Sequence, residues 1–331
     1  MGTRIVDMLF IPNFLKPKKN LLRLLRVHTE TIKNINAKQL IKSVDVYKAP
    51  LPLVFLLATA VYKTDKSQLT KQLSGVISYE RFGNAMNMAA FQKISRLYSS
   101  NGIPVMAQKG LVAKLLYPQS TRPMNDVDFY VPRHLYRDAL NLATENGFHI
   151  NHDMLFSADL QLRDQGCVDV HYALFKGTNP KMDDIIFHRA TPMKFADTEV
   201  LIPIPEDRLL IIMCEFYGNF LFEAGSKGTN IKQIFESHPQ WVLDAYKIIR
   251  ETPEFNWGKM MRTAKMSGYD YQIKILARLL NKIVPGLISK HALRIIDFMC
   301  PDSAVRKYLK RDKKIVYMHR KNYKIFLNET Y

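Results

Sequence analysis

The chain has 331 residues, 47% of them apolar, and carries 48 Lys and Arg against 30 Asp and Glu, a formal net charge of +18. That composition excludes a disordered chain, and the length suffices for one large core or two to three smaller ones. The cationic excess predicts attraction to polyanions such as nucleic acid, nucleotides or an anionic membrane surface, without choosing among them.

The N-terminal residues lack the apolar run and small-residue cleavage site of a secretory leader, and Val6 stands where a myristoylation signal needs Ser or Thr. Lys16-Pro17-Lys18-Lys19 reads as an exposed basic lead-in. Leu21, Leu22, Leu24 and Leu25, alternating with Arg23 and Arg26, predict an amphipathic helix with a cationic face. The apolar window Leu51–Tyr62 is too short to span a bilayer and suits a buried helix. The expectation is a cytoplasmic protein with no transmembrane segment. Residues 1–95 are expected to form a mostly helical region, ending in a helix over 89–99 that stops at the turn Asn101-Gly102.

Residues 96–205 change pattern. A short β-prone run, 103–107, is followed by Lys109-Gly110 and a helix-like segment over 111–117. Asp126–Val131 alternates at period two and predicts a strand. A helix over 133–145 follows, stopped by Asn146-Gly147, then β-prone runs at 148–150, 154–162, 167–172 and 199–202. Strands and helices alternating over about 100 residues predict an α/β unit. Residues 206–331 return to helix. Asp207 is the expected N-cap of the apolar run 209–222, Gly225 and Gly228 punctuate a loop, and helices are expected over 239–250, 258–265 and 269–283. The tail 306–324 holds nine Lys or Arg against Asp312, interleaved with Tyr308, Tyr317 and Tyr323. It reads as a track for a nucleic-acid backbone or as a solvated helix face. Cys167, Cys214 and Cys300 form no CxxC pair, so neither a zinc site nor a disulfide framework is expected, and a reducing compartment is.

The chemistry-bearing residues lie in the middle region. Asp126 and Asp128 are two apart in a β-prone run, so both are expected on one strand face, with Val127 and Phe129 turned to a core. Paired carboxylates repel each other and are tolerable around a hard divalent cation. Asp169, in a second β-prone run, would supply a third carboxylate from a neighbouring strand and complete a metal site for phosphoryl or nucleotidyl transfer. Lys109-Gly110 offers close backbone approach and a charge for a phosphate, and Arg122 could hold a phosphate or pair with the acids. His171, two residues beyond Asp169, shares its face and would orient Asp169, touch an acceptor or serve structure alone.

The order Lys109-Gly110, Tyr117-Pro118, Arg122-Pro123, Asp126-Val127-Asp128 and Val168-Asp169-Val170-His171 resembles an uncharacterised bacterial nucleotidyltransferase family often found with polysaccharide genes, within the DNA polymerase β-like nucleotidyltransferase superfamily. A similar layout occurs in abortive-infection and toxin-type nucleotidyltransferases. The resemblance covers residues 100–215, including Pro205-Glu206-Asp207. The chain departs from the pattern at Leu111, where the superfamily has Gly or Ser, and at Tyr172, where the family usually has Trp. The resemblance implies an α/β (α+β) fold, a mixed-sheet nucleotidyltransferase core flanked by helical regions. It also implies NMP transfer from an NTP to a hydroxyl of an RNA end, a protein or a small molecule, with Mg2+ or Mn2+. Asp126 and Asp128 would bind both ions, Asp169 the ion that activates the acceptor, and Lys109, Gly110 and Arg122 the triphosphate. The alternative is a catalytically inactive nucleotidyltransferase-like protein that binds nucleic acid or serves assembly.

Overall fold

The computed structural model describes residues 68–116, 122, 124, 126–154, 156–162, 166–175, 180–226, 240–305, 307 and 308. The expected helix around 21–26, the apolar window 51–62, Tyr117-Pro118, Pro123, Gly228 and the tail beyond Tyr308 lie outside these residues. The described chain forms two compact units that divide between Arg208 and Leu209.

The first unit is a mixed seven-stranded sheet with helices, the α/β arrangement the sequence predicts. Helix α1 (Gln68–Ser100) leads into β1 (Met106–Ala107), α2 (Lys109–Lys114) and β2 (Val127–Tyr130). A 3-10 turn at Arg133–Leu135 opens α3 (Tyr136–Glu145), followed by β3 (Phe148–Asp153), β4 (Ser157–Leu162) and β5 (Cys167–His171). Helix α4 (Pro180–His188) precedes the hairpin of β6 (Thr191–Phe195) and β7 (Thr198–Ile202). The strand order is β3-β4-β5-β2-β1-β7-β6. The β5/β2 and β1/β7 pairs are parallel and the other four antiparallel.

Period-two burial decides which way each strand faces. Val127, Phe129, Val168 and Val170 are fully buried in one cluster with Ala90, Phe91, Ile94 and Tyr98 of α1 and Ala139, Leu140 and Ala143 of α3. Tyr136, Ala139, Leu140 and Ala143 recur at helical spacing, so α3 presents one apolar stripe to the sheet. Phe129 packs against Phe91 at 5.5 Å between ring centroids and edge-on against Tyr98 at 6.0 Å. Each such side chain contributes about 2 kcal/mol by leaving water. The side chains between them, Asp128, Tyr130, Asp169 and His171, are left to the other face.

Several boundaries differ from the sequence expectation. The 103–107 run shortens to two residues, because β1 is fixed by pairing on both sides and not by its own length. The run expected over 148–150 lengthens to Asp153 as β3, and the run expected over 154–162 starts late, at Ser157, as β4. Asp207 is not an N-cap. Helix α5 (Pro205–Ser226) opens with Pro205, whose fixed φ suits a first helical position. Asp207 is fully buried one turn in, paired through both carboxylate oxygens with Arg189. Gly225 falls within α5, so that helix runs further than expected.

The second unit contains α6 (Gln240–Arg250), α7 (Trp257–Ser267), α8 (Asp270–Ile283) and α9 (Lys290–Met299), together with most of α5. Trp241 stacks on Phe216 at 4.3 Å and Tyr271 meets Tyr217 edge-on at 5.8 Å. Helix α7 is capped by Asn256, which accepts from the Lys259 N–H, and ends at Gly268 in the left-handed region with φ +75°. No helix among the described residues is long and apolar enough to cross a membrane.

Candidate active site

Parallel pairing of β2 and β5 sets Asp128 directly beside Asp169 and Tyr130 beside His171. Adjacent carboxylates in a low-dielectric setting need positive charge close by. Lys109 supplies it, and His171 joins the two acids. Lys109 Nζ lies 2.6 Å from Asp128 Oδ1, and His171 Nε2 lies 3.0 Å from both Asp128 Oδ1 and Asp169 Oδ2. Burial opposes ionisation of Asp128, but Lys109 and then His171 outweigh it and hold the carboxyl well below the usual carboxylate range. Burial and the Lys109 ammonium oppose protonation of His171, yet its bonds to Asp128 and Asp169 prevail and hold its pKa above the ordinary value.

The backbone positions Lys109 with some strain. Its φ is +41°, in the left-handed region that non-glycine residues rarely occupy. Gly110 beside it leaves room for the Arg122 guanidinium: a Cβ there would meet Nη1 at 2.6 Å and displace it. Arg122 therefore lies against α2, close enough that its charge, after burial, lowers the pKa of Lys114. The sequence-derived pieces Lys109, Gly110, Arg122, Asp128, Asp169 and His171 thus converge on one region of the sheet.

Asp126 stands apart from that set. It is exposed, one residue before β2, and its charge is felt at Cys167. The strand face that carries Asp128 begins after it, so the pair expected on one strand is one strand residue and one residue at the strand entry.

Residues with no motif signal hold this geometry. Asn84 donates to the Arg122 carbonyl and accepts from the Met124 N–H; Asn87 donates to the Met124 carbonyl and accepts from the Cys167 N–H. One turn of α1 therefore ties the entry to β2 to the start of β5. Gly166 is part of the fastening, since a Cβ there would overlap the Asn87 backbone at 2.3 Å. A second missed feature is Gln108, whose side chain is buried with neither amide atom hydrogen-bonded among the described residues.

The donor set fits a divalent cation. Asp128, Asp169 and His171 each offer a ligand atom within 4.8 Å of the others. Among the described residues, Asp169 Oδ1 is buried with no hydrogen-bond partner, a costly condition that a cation would relieve. A separate cleft of about 600 Å3 in the second unit is lined by Arg250, Phe255, Trp257 and His291, among others, and brings no such acidic pair together.

Sheet, acid pair and adjoining basic turn define a protein of the nucleotidyltransferase class. The chain belongs to the family described as uncharacterised nucleotidyltransferase, which it matches over residues 53–285, beyond the motif-bearing segment at both ends. Among solved structures it is similar to an antigenic nucleotidyltransferase-like protein from Paracoccidioides brasiliensis, with 13% identity, 61% of this chain and 94% of that one covered, and a TM-score of 0.38. It is also similar to the antibiotic-resistance factor ANT(2'')-Ia, with 14% identity, 49% of this chain and 86% of that one covered, and a TM-score of 0.31. No curated protein sequence matches it.

Proposed function

We propose that this protein is a metal-dependent nucleotidyltransferase that moves a nucleoside monophosphate from an NTP to a hydroxyl acceptor, with Mg2+ or Mn2+ held by Asp128 and Asp169. The observation that carries this reading is the in-register pair Asp128–Asp169, with Asp169 Oδ1 buried and, among the described residues, without a hydrogen-bond partner. A bound divalent ion would neutralise triphosphate charge and make the acceptor hydroxyl more acidic. Asp128 would hold the ion, and Lys109 would exchange its bond to Asp128 for one to the phosphates. Asp169 would hold the same ion on the acceptor side and accept the hydroxyl proton, with His171 fixing the carboxylate's orientation. Asp126, at the strand entry, is assigned the role that the family resemblance gives it, a ligand with Asp128 to both ions. Arg122, seated against Gly110, would steady the triphosphate as the acceptor oxygen attacks the α-phosphorus and the bond to pyrophosphate breaks.

The acceptor class is an RNA end, a protein side chain or a small molecule. The net charge of +18 favours a polyanion such as RNA over a neutral sugar. A second reading, a non-catalytic polyanion-binding member, draws on Leu111. It occupies the position where the superfamily has Gly or Ser, and its side chain lies in the apolar core. Labelled NTPs with Mg2+ or Mn2+ and total RNA or protein separate the two. Label transfer lost in Asp128→Ala and Asp169→Ala supports the enzyme; absence of transfer with any NTP, alongside salt-sensitive RNA binding, supports the second reading.

A further inference from the structure

Gln108 is 1% exposed, and among the described residues neither Nε2 nor Oε1 has a hydrogen-bond partner. A buried carboxamide with both ends unpaired is unfavourable, and an apolar residue of similar shape would avoid the cost. Strand register shows where it lies. Ala107 pairs with Phe129, and both belong to the apolar core. Gln108 is extended, at φ −131° and ψ 173°, and its N–H donates to the Asp128 carbonyl at 3.1 Å. It therefore continues the ladder opposite Asp128 and takes the face that Asp128 takes. Its neighbour Lys109 reaches Asp128 Oδ1 on that same face. Two kinds of unpaired polar atom, the Gln108 carboxamide and Asp169 Oδ1, thus lie on the one strand face that carries the paired acids.

We infer that Gln108 is a ligand-contacting residue for a metal–triphosphate group, an inference that rests on the nucleotidyltransferase reading. Nε2 donates to a phosphate oxygen. Oε1 accepts from a water of the ion's hydration shell, which Mg2+ and Mn2+ retain when carboxylates hold them. A carboxamide suits this place because it offers both a donor and an acceptor, whereas Lys109 offers donors alone. The contact is to the phosphate and its ion, so it is indifferent to the base.

The test is calorimetric titration of the full chain with two probes, Mn2+–tripolyphosphate and Mn2+–ATP, together with ligand-free thermal melts. Wild type is compared with Gln108→Leu, Gln108→Met and Gln108→Glu. The expected result is that the Leu and Met variants melt no lower than wild type and bind both probes about tenfold more weakly. Gln108→Glu, which loses the donor and adds a negative charge, loses more. Unchanged affinity for both probes in Gln108→Leu and Gln108→Met overturns the inference. So does a loss for Mn2+–ATP alone, which would put the contact on the nucleoside. Lower melting temperatures in both apolar variants also overturn it, because the amide would then be satisfied within the fold. Wild type that binds neither probe brings down the nucleotidyltransferase reading as well, whereas wild-type binding abolished by Asp169→Asn leaves that reading standing whatever Gln108 does.

Discussion

Each unit holds a charged cluster around a buried side chain, and the two are built on opposite terms. In the second unit Lys274, only 3% exposed, donates to the Cys300 carbonyl at 2.7 Å and pairs with Asp302 at 2.7 Å and Asp297 at 3.1 Å. Its three N–H donors meet three acceptors, and Asp297 is shared with Arg278 at 2.8 Å. In the first unit, Asp128 Oδ1 is contacted by both Lys109 and His171, while Asp169 Oδ1 and the whole Gln108 carboxamide are left unpaired. A balanced cluster fastens a fold. A cluster that crowds two nitrogens onto one oxygen and, among the described residues, leaves others empty is arranged for something still to arrive.

That contrast breaks most sharply on the acids themselves. Asp128→Ala and Asp169→Ala should each lower NMP transfer by about 1,000-fold or more while leaving a folded protein, measured by label transfer alongside circular dichroism. Retained transfer in either would place the chemistry elsewhere. The reciprocal result is expected of Lys274→Met. Removing that ammonium takes the donor from the Cys300 carbonyl while the exposed Asp297 and Asp302 stay solvated, and should cost about 2 kcal/mol in denaturant unfolding and leave nucleotide binding by the first unit unchanged. A drop in binding at unchanged stability would mean that the second cluster is not purely structural.

Asp183 on α4 gives a test in pH. Its carboxyl accepts from the Leu174 N–H, but Oδ1 is buried without a partner, and burial pushes its pKa up to about 7. The folded state therefore binds this proton more tightly than the unfolded chain, whose carboxyl titrates near 3.8. Its contribution to stability is complete at low pH, falls as pH rises from about 4 to about 7, and is flat above that. Asp183→Asn should remove that slope and gain about 4 kcal/mol over wild type at pH 8, read as the difference between the two unfolding curves across pH. A variant that parallels wild type at every pH would show the carboxyl to be solvated. The smallest effect is expected at Gly110→Ala. The added Cβ displaces the Arg122 guanidinium, and Mn2+–ATP affinity should fall about tenfold, near 1.4 kcal/mol. Unchanged affinity would separate Arg122 from the triphosphate.

The sequence carried the site's strands because their signal is local. Val127, Phe129, Val168 and Val170 alternate with acids and His171, and period two assigns the faces without knowledge of the partner strand. It carried the α/β character for the same reason. It did not carry β6, whose Pro192 lowers strand propensity yet is tolerated at the sheet edge. Nor did it carry α4, where two adjacent acids and a leading proline hide the buried Met182 and Ile186. Asn84 and Asn87 look like ordinary polar helix positions, and only the segment they fasten, 40 and 37 residues on, gives them a role. Gln108 has no motif and no periodicity to mark it. Its significance lies in lacking partners, which only three dimensions reveal. Asp126 shows the limit of spacing alone: it stands one residue before β2, at the strand entry and not on the strand face that carries Asp128.

The most direct measurement is anomalous diffraction from crystals soaked with Mn2+ and a non-hydrolysable NTP. The account predicts a manganese peak between Asp128 and Asp169, with carboxylate oxygens at about 2.1 Å, as octahedral hard cations require, and Lys109 turned from Asp128 to phosphate. Manganese bound elsewhere, with Lys109 and His171 still joined to Asp128, would contradict it.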